Sequence, residues 1–201
     1  IEYFHPIRNI DSFEKLIKQN TKLIFLESPG TATFDITDIP KITKIARKHK
    51  IITVADNSWA SPLFCNPIKL GVNIVVEAAT KYINGHSDIL LGFISSDKKT
   101  SKKIRFYTKA LGICPGSEEV YLALRGLATL DTRLKEIEKN TLNLINILNE
   151  NKKVKKIFHP ALESHENHKI WKRDFHGSTG LFSFELDKKY NNKSLETFAK
   201  K

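Results

Sequence analysis

The sequence predicts an α/β fold built on a largely parallel sheet with helices over both of its faces. Three observations carry that expectation. Short apolar runs at residues 22–27, 51–55 and 74–77 are each too brief for a helix and each run into polar or turn-forming residues, as strands buried on both sides do. A helical pattern lies between the first two runs, and a loop holding Pro62, Pro67 and Gly71 lies between the next two. Strand, helix, strand, loop, strand is the rhythm of βαβ units.

The elements follow in order. Residues 11–20, DSFEKLIKQN, set Phe13, Leu16 and Ile17 at helical spacing behind an Asp able to cap, so a short helix is expected there. The strand KLIFLE is stopped by Ser28-Pro29-Gly30. Asp38-Ile39-Pro40 then puts proline in a first helical turn, and Ile42, Ile45 and Ala46 form an inward stripe that stops near His49. A fourth strand is expected over residues 90–95, a basic helix or arm over 98–108 and a turn over 112–116. From Ser117 to Leu148 apolar residues recur at helical spacing, as one long helix or two broken near Gly126 or Asp131. Beyond Asn151, residues 154–158 read as a short strand, 160–172 as a polar loop, 180–186 (GLFSFEL) as an alternating strand, and NNKSLETFAKK as a capped helix cut off after its start. Residues 1–129 are thus expected to belong to one domain and 130–201 to the unfinished opening of a small α+β domain, joined by the long helix.

Bulk properties exclude several function classes. With 201 residues and 40% hydrophobic content the chain can bury a core. No apolar run approaches the roughly 18 to 20 residues of a membrane span, and no charged-then-apolar leader is present, so a cytoplasmic protein is expected. Cys65 and Cys114 lie far apart without CxxC or Cys/His spacing, which indicates neither a disulfide framework nor a metal site. The net charge of +11 comes from Lys and Arg mixed with acids and without an aromatic stripe. Solvated helix faces account for it better than nucleic-acid binding. The chain contains no Met, from which we expect it to be a piece of something longer.

The chemistry concentrates in residues 51–92. The strand ITVAD ends in Asp56, and the strand before AAT ends just ahead of Thr80 and Lys81, with an Asn-Gly-His-Ser-Asp turn after them. Lysine is the side chain that condenses with an aldehyde, and a carboxylate can hold a pyridine nitrogen protonated. Taken singly, each residue has an ordinary reading: Asp56 as an N-cap, Thr80 as a strand-end threonine, His86 and Asp88 as turn residues rather than a proton relay, Trp59 as core. Dinucleotide, P-loop, serine-hydrolase and zinc-protease motifs are absent.

ESPG at 27–30, VADNSWASP at 54–62, AATKYINGHSD at 78–88, YLALRGLATLDTRL at 121–134, and HPAL with WKRDFHGSTGLFSFEL in 159–186 together resemble the Cys/Met-metabolism pyridoxal-phosphate enzymes, in order over nearly the whole chain. The resemblance implies a PLP-dependent aminotransferase-like large domain of fold type I, with residues 1–129 as its second half. It implies pyridoxal 5'-phosphate as cofactor, Lys81 as the residue that holds it and shuttles the α-proton, Asp56 as the acid on the ring nitrogen, and Thr80 as a phosphate-contacting hydroxyl. Ala78 departs from the pattern, since many relatives carry there a Ser that also reaches the phosphate. The implied activity is a carbon–sulfur lyase: β-elimination of cystathionine to homocysteine, pyruvate and ammonia, in methionine biosynthesis, by a homotetramer when complete. The aromatic that stacks on the ring, a Tyr-x-Arg for the neighbouring subunit's phosphate and the arginine that clamps the substrate carboxylate are not matched, so the isolated chain is expected to be weak or inactive. A γ-synthase, γ-lyase or methionine γ-lyase activity and a non-catalytic remnant of a split or degraded gene are the alternatives.

Overall fold

The computed structural model describes residues 1–6, 10, 12–187, 196, 197 and 200. Four strands, β1 (Leu23–Glu27), β2 (Ile52–Asp56), β3 (Ile74–Ala78) and β4 (Gly92–Ser96), form one sheet in that order. The first three run parallel, with Glu27 beside Asp56 and Asp56 beside Val76, and β4 runs antiparallel with Gly92 opposite Ala78. The α/β architecture with a mostly parallel sheet is as the sequence predicts. The reversal at β4 follows from its connection: residues 79–91 join β3 to β4 through the turn that carries Lys81 and contain no helix to carry a crossover to a parallel neighbour.

Helix α1 (Ile39–Lys48) lies between β1 and β2, capped by Asp38, whose carboxylate accepts from the Lys41 amide at 3.1 Å. Its buried Ile39, Ile42 and Ala46 meet Ile24, Leu26, Ala55 and Val75 on one sheet face. Burial of each isoleucine there contributes about 1.5 to 3 kcal/mol. The other face is open along its outer strands, where Phe25 is 56% and Ile94 50% exposed.

A second cluster fills the space beyond the carboxyl ends of the strands. Phe34, Ile36, Trp59, Phe64, Ala79, Ile83, Leu130, Leu134 and Phe175 pack together there. It draws on the short α2 (Ser61–Phe64), on α5 (Leu130–Glu150) and on the segment after α6 (His168–Asp174). The basic stretch is a helix, α3 (Lys98–Ala110), capped by Asp97 and without a buried residue. The long helical pattern is two helices, α4 (Ser117–Leu127) and α5, broken at Ala128 and Thr129 between the two expected positions. Beyond α5, β5 (Val154–Phe158) pairs antiparallel with β6 (Ser183–Leu186) as a separate two-stranded sheet.

Three local expectations need correction. The helix expected over 11–20 is only a 3-10 turn at Phe13–Leu16. The polar loop expected over 160–172 contains α6, which forms because Ile170 and Trp171 pack against the second cluster while Arg173 pairs with Asp38 and Asp174. The strand expected from Gly180 begins only at Ser183, because the Gly180 amide and Leu181 carbonyl bond to Tyr82 and Trp59 instead of to a strand. The closing helix falls largely outside the described residues. Among the described residues no helix is long and apolar enough to cross a membrane, and no group of three His, Cys, Asp or Glu side chains is placed to hold a metal.

Candidate functional site

Parallel pairing of β2 with β3 puts their carboxyl ends on one edge of the sheet, the edge where α/β proteins bind ligands. Asp56 closes β2, and Lys81 follows the end of β3 by three residues. The half-buried Asp56 carboxylate accepts from the Ser58 amide through Oδ1 at 2.8 Å. Its Oδ2 has no hydrogen bond among the described residues. Ser58 in turn accepts from the Ala78 amide at 2.7 Å, so the two strand ends are stitched together through the Asp-Asn-Ser turn.

Lys81 is exposed, and its amine has no hydrogen bond or ion pair among the described residues. Its backbone is the opposite. The Lys81 amide donates to Ala78 O at 3.1 Å, its carbonyl accepts from the Gly85 amide at 2.7 Å, and the Asn84 amide reaches Ala79 O at 2.9 Å. The exposed amine thus stands on a turn that is held on both sides. Thr80 is differently placed: its hydroxyl accepts from the Leu91 amide at 2.9 Å and donates to Leu91 O at 3.2 Å. A phosphate contact from Thr80 would have to replace that second bond.

His86 and Asp88 do not meet as a relay. His86 Nδ1 lies 2.6 Å from Asn84 O, and Asp88 accepts from Asn84 Nδ2 at 2.7 Å, so both brace the turn through Asn84. Trp59 is core, donating from its indole N–H to Leu181 O at 3.0 Å and packing edge-on against Phe175. Cys65 is buried, its thiol pushed up to about 12 by burial and by the nearby Asp174 and Glu77 charges, whereas Cys114 is exposed.

The sequence reading passed over Glu77, one residue before the end of β3. It is buried on the covered face, where Asn57 Nδ2 donates to Oε1 at 2.9 Å and also to Cys65 O at 3.1 Å. Oε2 is buried without a partner among the described residues. Burial raises this carboxyl to about 7, the Asn57 bond opposing and the Asp56 charge adding to the rise. The signal was available: an acid inside the apolar run IVVEA has no solvated side to face.

The residues present fit an aldehyde cofactor with a basic ring nitrogen. An unpaired, exposed amine and a carboxylate with one free oxygen occupy the same sheet edge, which is what such a group requires of its protein. Among solved structures the chain is similar to a cystathionine gamma-lyase from Lactobacillus plantarum complexed with L-serine, with a TM-score of 0.89 and 32% identity over 92% of this chain and 49% of that one. The fold is that of the PLP-dependent enzymes of fold type I. The family model described as Cys/Met metabolism PLP-dependent enzyme matches residues 2–201, and the chain belongs to that family, whose cofactor is pyridoxal 5'-phosphate. Relatives include a Saccharomyces cerevisiae protein named as a candidate cystathionine beta-lyase, 44% identical over 97% of this chain and 57% of its own length. An L-alanine/L-glutamate racemase of Wolbachia pipientis is 40% identical over 97% of this chain and 48% of its own. The cystathionine beta-lyase of Escherichia coli is 36% identical over 98% of this chain and 50% of its own. The chain therefore spans about half the length of the curated relatives it matches.

Proposed function

We propose that the whole protein to which this chain corresponds is a carbon–sulfur lyase that splits cystathionine by β-elimination into homocysteine, pyruvate and ammonia. The observation that carries the reading is the pairing of a free Lys81 amine with a half-free Asp56 carboxylate at adjacent strand ends. Relatives named cystathionine beta-lyase over nearly the full chain supply the substrate. Methionine biosynthesis, a cytoplasmic setting and a homotetrameric assembly belong to the same proposal. So does the division of the chain at 129/130 into part of the cofactor domain and the opening of a smaller one, which the separate β5–β6 sheet beyond α5 supports.

Bound pyridoxal phosphate supplies the electron sink that lets a proton leave the substrate's α-carbon. Lys81 Nζ would hold the cofactor at its aldehyde carbon, and as a free amine it would take the α-proton of the substrate. Its exposure gives both partners access, and the braced turn fixes where the nitrogen can reach. Asp56 Oδ2 would hold a proton on the ring nitrogen, while Oδ1 stays engaged with the Ser58 amide and keeps the carboxylate from rotating. Thr80 is the phosphate-contacting hydroxyl of the proposal, at the expense of its bond to Leu91 O. Carbon–sulfur cleavage follows from loss of the α-proton when a thiolate can leave from Cβ.

The racemase among the relatives shares α-proton removal without the elimination, so the common step is the one these residues perform. With about half of the relatives' length in hand, the chain alone is proposed to turn over weakly or not at all. The test is product analysis of the whole protein with pyridoxal phosphate and cystathionine in deuterium oxide. Pyruvate, and deuterium at the α-carbon of recovered cystathionine, support the reading. Release of 2-oxobutyrate puts γ-elimination in its place, racemised alanine from an L-alanine control favours the racemase chemistry, and no exchange at all leaves the non-catalytic alternative.

A further inference from the structure

One guanidinium in this very basic chain is spent almost wholly on backbone carbonyls. Arg133, in the first turn of α5, donates from Nη1 to Tyr82 O at 2.9 Å and from Nη2 to Ile83 O at 3.2 Å. The same Nη2 reaches Gly126 O at 2.8 Å, and Nε donates to the Thr129 hydroxyl at 3.0 Å. No carboxylate pairs with it among the described residues, and burial lowers its affinity for the proton. A charge placed with neutral acceptors gains nothing from neutralisation, so the fork geometry is what the position uses.

Tyr82 and Ile83 are the two residues directly after Lys81. Two glycines make room for the contact. A Cβ at Gly85 would strike the Arg133 guanidinium, and a Cβ at Gly126 would strike the Asn84 and Ile83 carbonyls. The α4–α5 junction is therefore seated against the turn that carries the amine, and Arg133 ties the two together. We propose that Arg133 is a positioning residue for Lys81: by clamping the Tyr82 and Ile83 carbonyls it sets the direction in which the amine leaves the turn. The proposal rests on the reading of Lys81 as the cofactor-holding lysine.

The experiment compares two reactions of the same amine. Purified chain is mixed with pyridoxal phosphate, the product is trapped with borohydride at timed intervals, and adduct at Lys81 is counted by peptide mass. In parallel, cofactor-free chain is acylated with a small amine-reactive ester, and hydrogen exchange is followed at the Gly85 and Asn84 amides. Arg133→Lys keeps the charge but reaches only one carbonyl. It should slow cofactor capture at Lys81 by about tenfold or more while leaving ester acylation within about twofold, since only the first reaction needs a set direction. Protection at Gly85 and Asn84 should fall while α1 keeps its own. Gly126→Ala, whose Cβ would press on the Ile83 and Asn84 carbonyls of the same turn, should act the same way. Capture at the wild-type rate in both variants overturns the proposal. Loss of protection across the whole chain in both overturns it too, in favour of a purely structural strut. Lys81→Ala separates the two layers: adduct that persists undiminished in that variant sinks the functional reading itself, whatever Arg133 does.

Discussion

Two stretches of this chain are equally dense in family motif, residues 54–88 and 159–186, yet their polar groups go to opposite places. In the first, Lys81 stands exposed and unpaired and Asp56 keeps a free oxygen, while the backbone around them is tied down. In the second, His159, Ser178 and Thr179 are fully buried, His159 lies 3.3 Å from Thr179 O, and Ser178 gives both its amide and its hydroxyl to Glu138. The difference separates groups that can meet a ligand from groups that hold a wall. The two stretches also touch, through Trp59 to Leu181 and Tyr82 to Gly180, so the wall supports the turn.

If that contrast is right, changes in the second stretch should cost stability and not chemistry. The largest effect is expected at Phe175, buried in the cluster beside Trp59. Phe175→Ala should lower unfolding free energy in denaturant by about 3 to 5 kcal/mol, with cofactor capture per folded molecule unchanged. A capture defect beyond the unfolded fraction would mean that the wall takes part in the site.

The next effect is a pH dependence with opposite signs in the two stretches. Glu77 titrates near 7 in the folded chain against 4.5 when free, so the folded state holds its proton more tightly, and the stability this gives is lost as pH rises through about 7. His159 is lowered to about 4 from 6.5, by burial first, with the Thr179 bond opposing and the His165 charge adding. Its contribution is present above 6.5 and is lost as pH falls towards 4. Between pH 4.5 and 6.5 the two slopes oppose each other, each worth on the order of 2 to 3 kcal/mol over that window. Glu77→Gln, which can still accept from Asn57, should remove the first slope, so that chemical unfolding shows stability falling with acid where the wild type is nearly flat. Parallel wild-type and variant profiles would place Glu77 in water.

Smaller effects sharpen the contrast. Trp59→Phe removes the indole donor to Leu181 O and should cost about 1 kcal/mol in the same unfolding measurement. Asp56→Asn retains an oxygen for the Ser58 amide and should change stability by no more than about 0.5 kcal/mol. A large loss there would recast Asp56 as a structural cap, its ordinary reading from sequence.

Much of this was legible in the residues, for physical reasons. The strands and α1 announced themselves because burial forces apolar runs of strand length, and because Asp38 and Pro40 mark a helix start. The site pair was legible as a place more than as chemistry. Asp56 and Lys81 stand out only as a carboxylate and an amine after apolar runs, and the resemblance supplied their roles. Three features were not legible because they are set by contacts distant in sequence. Helix α6 is seven residues of HKIWKRD, with too short a stripe to read, and it exists because Ile170 and Trp171 find the cluster. The Thr80 hydroxyl faces Leu91 because β4 folds back antiparallel. Nothing local in the sequence separates Arg133 from the other basic residues, and it is α5 that places it over the Lys81 turn.

Lys81 is proposed as the amine that holds pyridoxal phosphate in this chain. The most direct measurement is borohydride trapping with peptide mapping across all the lysines, in wild type and Lys81→Ala, with unfolding followed alongside. One dominant adduct at Lys81 is expected, with its disappearance in the variant and a stability change within about 0.5 kcal/mol because the side chain is exposed. Adduct scattered over surface lysines, or unchanged in amount when Lys81 is gone, would contradict it.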